Sequence, residues 1–238
     1  MQGQTPYRPW LIPLVAAGSV FFSCSSLAAQ DIDPEIIRAT TGEWLVAPAD
    51  GKPGCRIRLT DGESIGGLAV EGAEEACASV LPAIGNAAAW NFGENGAIQL
   101  IDPVRKVIAR FEEQEGGPHR TADNPPLLLL FEPPAGLNAI PAPAAIAGTW
   151  TLARPEGETL CQLELKAEAE EDGTFPLSPS GDCASAVKKL KLHRWQIDGL
   201  GLSLLGEDGS SLSLVAVTPE RFDKAKEEGG KPLSMIRK

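Results

Sequence analysis

Gly42-Glu43-Trp44 returns as Gly148-Thr149-Trp150, an offset of 106 residues, and no other feature of the chain restricts its fold so sharply. Cys55 returns as Cys161 and Cys77 as Cys183 at the same offset. Cys55-Arg56-Ile57-Arg58-Leu59 matches Cys161-Gln162-Leu163-Glu164-Leu165, with the same alternation of apolar and polar residues. Trp90 answers Trp195 with a slip of one residue, Asp102 answers Asp208, and Pro126-Leu127 pairs with Pro232-Leu233. Rare residue types that hold one offset over so long a stretch mark a tandem duplication, and a repeat must be recognised before a fold is assigned.

The 238 residues therefore divide into two similar halves. The division falls where prolines cluster, from Glu132-Pro133-Pro134 to Pro141-Ala142-Pro143. Prolines at that density exclude helix and sheet and favour a stiff, extended linker. Ahead of the first copy, Trp10 to Phe22 is an apolar run preceded by Arg8 and followed by Ser25-Ser26-Leu27-Ala28-Ala29. That is the form of a signal peptide cleaved after Ala28 or Ala29. The run is too short, and too interrupted by Pro13, to span a bilayer, which takes about 20 apolar residues. The expected organisation is a signal peptide over 1–29, a first domain over 30–132, a linker over 133–144 and a second domain over 145–238. A periplasmic or secreted location follows. Lipid anchoring at Cys24 is the weaker reading, because Phe21-Phe22-Ser23 lacks the aliphatic and small residues that lipoprotein signals favour.

Charge narrows the partners. There are 21 Lys and Arg against 32 Asp and Glu, and Arg8 leaves with the signal. So acidic a chain is a poor match for nucleic acid or an anionic membrane. No apolar run after the signal is long enough to span a membrane. Once Cys24 is gone, Cys55, Cys77, Cys161 and Cys183 remain, and in an oxidising compartment they read as two disulfides. A duplicated unit carries its own bridge, so the expected pairs are Cys55–Cys77 and Cys161–Cys183 rather than either crossed alternative.

Within each half the period is two. Ile57/Leu59, Ile98/Leu100, Val107/Ala109/Phe111, Leu163/Leu165, Leu200/Leu202/Leu204 and Leu212/Leu214 alternate with polar or small residues. Turn signals at Asp61-Gly62, Asn95-Gly96, Asp198-Gly199 and Asp208-Gly209 separate these runs. Short alternating strands with frequent turns indicate an all-β protein, an antiparallel sandwich or barrel. Leu127 to Phe131 is continuously apolar, which predicts cover on both of its faces. Two short helices are expected, Pro34 to Thr40 and Glu74 to Ser79, the first with Asp33 as its cap and proline at its first position.

The order Gly-x-Trp, Cys with an alternating strand, Cys, Trp, then a turn and a further strand resembles the bacterial alkaline protease inhibitor family, often called Inh. Gly42, Trp44, Cys55, Ile57, Leu59, Cys77 and Trp90 carry the likeness in the first copy. In the second it rests on Gly148, Trp150, Cys161, Leu163, Leu165, Cys183, Trp195, Asp198-Gly199, Leu202 and Asp208-Gly209, and it is the closer of the two. The resemblance implies two small antiparallel eight-stranded β-barrels with one disulfide each, in a monomer without cofactor or metal of its own. It further implies inhibition of a secreted zinc metalloprotease of the serralysin type, through an extended N-terminal trunk that enters the protease cleft. Here the tip of that trunk is Gln30, Asp31, Ile32, Asp33 and Pro34. The chain departs from the family in lacking a leading serine pair and in being duplicated. An N-terminal Gln30 can cyclise, which leaves the Asp31 carboxylate as the oxygen ligand zinc would accept. The second copy is tethered at Ala144-Ala145, so the trunk mechanism is not carried over to it.

The other conspicuous residues have plainer readings. Trp44, Trp90, Trp150 and Trp195 sit at repeat positions and read as barrel plugs. His119 and His193, at non-equivalent places, read as surface residues. Glu112-Glu113-Gln114-Glu115 and Glu168 to Asp172 read as acidic loops without the alternating ligands and glycine of a calcium site. With no phosphate loop, nucleophile elbow or metal motif, an enzyme is not expected. The competing reading is a cell-envelope module that holds a small apolar ligand or another envelope protein.

Overall fold

In a computed structural model, the described residues are 32–115 and 117–237, with Gly3 alone ahead of them. The rest of the expected signal peptide, Cys24 included, and Gln30 and Asp31 lie outside the described residues. The chain divides at Asp33, and Pro34–Lys238 is one compact unit, the second of two. Of the first, Ile32 and Asp33 carry no regular secondary structure.

The second unit holds both copies. The first copy opens with helix α1 (Pro34–Thr40) and continues through strands β1 (Gly42–Pro48), β2 (Cys55–Ser64) and β3 (Gly67–Glu71). Helix α2 (Ala73–Cys77) leads to β4 (Ala89–Phe92), β5 (Ile98–Ile101), β6 (Val107–Gln114), β7 (Gly117–Arg120) and β8 (Leu127–Phe131). Each strand pairs antiparallel with the next and β8 returns to β1, so the sheet is a closed barrel. The second copy repeats the scheme. Helix α3 (Pro143–Ile146) precedes β9 (Gly148–Ala153), β10 (Thr159–Leu165) and β11 (Phe175–Ser180). Helix α4 (Ser185–Lys188), β12 (Leu192–Asp198), β13 (Gly201–Gly206), β14 (Ser211–Thr218), β15 (Arg221–Lys224) and β16 (Ser234–Ile236) follow, and β16 closes on β9. Closure removes the unpaired edges that an open sheet would expose.

The expected bridges are present, Cys55–Cys77 and Cys161–Cys183, each at a sequence separation of 22. Both helices expected in the first copy form, and the first begins at Pro34 as its proline suggests. Trp90, Trp150 and Trp195 are fully buried and Trp44 nearly so. Every one of these indoles donates its Nε1–H to a backbone carbonyl, and the acceptors keep the repeat. Trp44 reaches Thr40 and Trp150 reaches Ile146, at 2.9 and 2.7 Å. Trp90 reaches Thr60 and Trp195 reaches Lys166, at 2.8 and 3.1 Å. A buried indole without an acceptor would cost about 1–3 kcal/mol, so these bonds fix where each ring sits.

The turn expected at Asp61-Gly62 is not there. Strand β2 runs on to Ser64, its register slipping between Leu59 and Glu63, and the chain reverses at Ile65-Gly66. Pairing of Glu63 with Leu68 and of Ser64 with Gly67 carries the ladder past Asp61, and Gly66, not Gly62, takes the positive φ of 99° at the reversal. The acidic stretch Glu112-Glu113-Gln114 is likewise not a loop but the end of β6. The histidines are not fully on the surface either. His119 and His193 are half-buried because both belong to strands, β7 and β12.

Strand β8 has cover on both faces, as its continuous apolar sequence predicts. Leu129 joins Trp44, Val46, Ile57 and Trp90 in the core of the first barrel. Leu130, one residue on and facing the other way, joins Leu45, Ala47 and Ile140 in the core cluster of the second barrel. Strand β1 divides its residues in the same manner. The outer face of β1 and β8 is therefore part of an interface between the two barrels.

Candidate functional site

The trunk expected to carry activity enters the first barrel through α1. Of its tip residues, Gln30 and Asp31 lie outside the described residues, Ile32 and Asp33 belong to the leading unit, and Pro34 is the first residue of α1. Helix α1 is a stem fixed at its C-terminal end. Thr40 is buried and its carbonyl accepts Trp44 Nε1, while its hydroxyl donates to the Ile36 carbonyl at 2.9 Å. Thr41 closes the helix, its amide donating to the Ile37 carbonyl and its hydroxyl to the Arg38 carbonyl. Ile37 packs against the barrel core, whereas Ile36 is 51% exposed. On the ring of Trp44, Phe131 rests at a centroid distance of 4.8 Å and His119 stands edge-on at 6.2 Å.

The second copy has the same stem in shortened form. Ile146 and Trp150 take the places of Thr40 and Trp44, with the same bond between them. What leads into the stem differs. Arg56 on β2 donates to the Pro133, Pro134 and Leu137 carbonyls and to Asn138 Oδ1, and pairs with Glu43. Buried Ile140 adds an apolar anchor to that clamp. The ring contact differs as well. Arg237 stands where the first copy has Phe131, with its guanidinium 4.3 Å from the centre of the Trp150 ring. The same group donates to the Ala145, Ile146 and Ala147 carbonyls at the C-terminal end of α3, where a cation is favoured.

Position in the sequence identified the stem, the tryptophans and the bridges. It did not single out Arg56 or Arg237. The signal was present, however, as divergence between otherwise matching positions: Arg56 against Gln162, and Phe131 against Arg237. Among the described residues no group of three or more His, Cys, Asp or Glu could hold a metal ion. No described helix is long and apolar enough to cross a membrane. The acidic run Glu168 to Asp172 is a loop, as expected, and Asp172 there pairs with Arg194 at 2.7 Å. The Asp172 carboxyl lies below the usual range, held there first by the Thr174 hydroxyl and amide.

The family described as Protease inhibitor Inh matches this chain twice, over residues 37–130 and 140–237. The first match begins within α1, at Ile37, and leaves out the expected tip, while the second takes in all of α3. No curated protein matches the chain.

Proposed function

From the premise that this chain belongs to the Inh protease inhibitor family, in two tandem copies, we propose that it inhibits a secreted zinc metalloprotease of the serralysin type through the trunk of its first copy. Membership makes a protease the partner; the class of protease and the route of inhibition are the further step. The observation that carries it is the contrast between the two stems. Both are anchored to a barrel by the same tryptophan bond, but α3 is reached through a linker that Arg56 clamps, whereas the sequence ahead of α1 leads back to the expected cleavage site. In the proposed mature protein, exported and trimmed of residues 1–29, that sequence is the free end of the chain.

A catalytic zinc keeps one coordination position for water or substrate. A tip placed there by a rigid stem displaces the water, and Asp31 supplies the oxygen if Gln30 has cyclised. Because the stem is folded before docking, little ordering entropy is lost. Filled interiors give no support to the ligand-carrier reading: fully buried Trp90, Ile57 and Phe111 occupy the first barrel, and Trp150, Trp195 and Phe222 the second.

The test is a titration of a serralysin-type protease with the mature protein and with a form lacking Gln30 to Asp33. The deletion spares Trp44 and the Cys55–Cys77 bridge, so the trimmed protein should melt as the intact one does. Loss of the zinc ligand and its cleft contacts should cost several kcal/mol, about tenfold in affinity for each 1.4 kcal/mol. Equal inhibition by both forms would place the inhibitory surface elsewhere on the molecule.

A further inference from the structure

A cleft of about 890 Å³ opens between the two barrels. Trp44, His119 and Phe131 line it from the first barrel, and Leu202, Leu214 and Val215 from the second. Phe131 and Val215 are 43% and 50% exposed, large apolar side chains left uncovered within one concavity. Its charged lining is all of one sign. Glu113, Glu132, Asp198 and Glu227 take part, and no Lys or Arg does among the described residues that line it. Asp198 stays exposed at the lip of the cleft, where partial loss of hydration shifts its carboxyl upward. A cation beside that group would offset the lost hydration.

We propose that this cleft is a second docking site, taking a segment of the target protease in which an apolar side chain is flanked by Lys or Arg. The proposal rests on the inhibitory reading above. Size and polarity fit such an occupant, since the volume lies within the range of about 300–1,000 Å³ usual for a well-formed pocket. An apolar floor under an acidic rim complements an apolar residue between cations. Strand addition is excluded, because both barrels are closed and offer no free edge. The site must therefore work through side chains. Its location also suits the protease. Trp44 forms part of the cleft wall and, through Thr40, holds the C-terminal end of α1, so cleft and trunk share one anchoring residue. A single copy could not build this site. Duplication supplies its second wall.

The experiment compares the mature protein with E113K/E227K and with V215D, each checked by its melting curve. All three should reach full inhibition at saturation, because the trunk is intact. At low salt the charge-reversed protein should associate with the protease about tenfold more slowly, and its rate should depend less on ionic strength. Val215→Asp should weaken binding by a similar factor. A protein lacking Gln30 to Asp33 should lose inhibition but keep weak protease binding that E113K/E227K removes. Unchanged rates and salt dependence in the variants would overturn the proposal. If the intact protein inhibits no protease, the trunk reading fails, and the cleft is then decided by a capped Lys-Phe-Leu-Lys peptide. Amide shifts at Phe131 and Val215 with that peptide, absent with Glu-Phe-Leu-Glu, support the site. No shifts, or equal shifts with both peptides, overturn it.

Discussion

Asp198 closes β12 at the lip of the inter-barrel cleft, where it keeps some contact with solvent but loses enough to raise its carboxyl pKa. A carboxyl raised in the folded state destabilises that state when ionised. The folded protein then holds its proton to a higher pH than the unfolded chain, so stability is gained as pH falls through the folded value and is lost as pH rises through it. Asp198→Asn should therefore raise the melting temperature at neutral pH. The advantage should fade on acidification and vanish below the carboxylate range, where the wild-type side chain is neutral too. Thermal melts of both proteins at several pH values check this, and a benefit independent of pH would assign the effect to packing instead. At this scale the sequence was readable where residues are rare and repeated. Four tryptophans at matched positions announced buried plugs, but the carbonyls that fix them belong to Thr40, Thr60, Ile146 and Lys166. Those acceptors are backbone groups, common to every residue type, and so leave no mark in composition or pattern.

Strands and turns were legible to the extent that local chemistry decides them. Alternation located Ile57/Leu59, Ile98/Leu100 and Leu202/Leu204 on strands, since period-two burial is written directly in residue type. Asp61-Gly62 misled because the turn preference of an Asp-Gly pair yields to ladder pairing at Glu63 and Ser64, with Gly66 a few residues on supplying the positive φ for the reversal. Each disulfide joins a strand to the helical segment that crosses to the next part of the barrel. Cys55 begins β2 and Cys77 ends α2; Cys161 lies in β10 and Cys183 precedes α4. The crossing between β3 and β4 is mostly outside the sheet ladder, and the bridge limits how far it can stray when the chain is unfolded. Loops of this length assign each bridge about 3 kcal/mol through chain entropy. Replacing Cys55 and Cys77 by alanine should cost the first barrel about that amount while the second keeps its bridge. Chemical denaturation of the pair variant, followed by residue-resolved spectra, would show the first barrel melting earlier. A loss shared equally by both barrels would mean that their shared face still couples them after the bridge is gone.

Whether the halves behave as one block is decided at the face they share. A linker rich in proline suggests two bodies joined by a spacer, yet Ile140 is buried, Arg56 fastens the carbonyls around it, and Leu45, Ala47 and Leu130 join the core cluster of the second barrel. That face was visible in the duplication as a mismatch. The first copy has Leu45, Leu128 and Leu130 where the second has Thr151, Ser234 and Ile236, so only the first presents so apolar an outer strip on β1 and β8. Alternation alone could not say what would cover it. The fit is close at the β12–β13 turn, where Gly199 takes a left-handed φ of 56° and a Cβ would stand 2.9 Å from Leu130 Cδ2. Leu130→Asp tests the coupling without touching the interior of the first barrel, because the side chain points out of it and onto the second. Burial of one leucine is worth about 1.5–3 kcal/mol, and an unpaired carboxylate in its place adds a desolvation cost. Both barrels should stay folded, with dispersed amide spectra, but calorimetry should resolve two transitions where one is expected of the parent, and the scattering radius should grow as the barrels separate. Fragments 30–134 and 143–238 provide the reference: each should melt cooperatively on its own, below the parent, at a temperature close to one of the two transitions of the variant. If Leu130→Asp leaves a single transition at the parent temperature, the shared face contributes little and the Arg56 clamp holds the halves together. If it unfolds the first fragment as well, Leu130 supports its own barrel, and the division of β8 into an inner and an outer face is wrong.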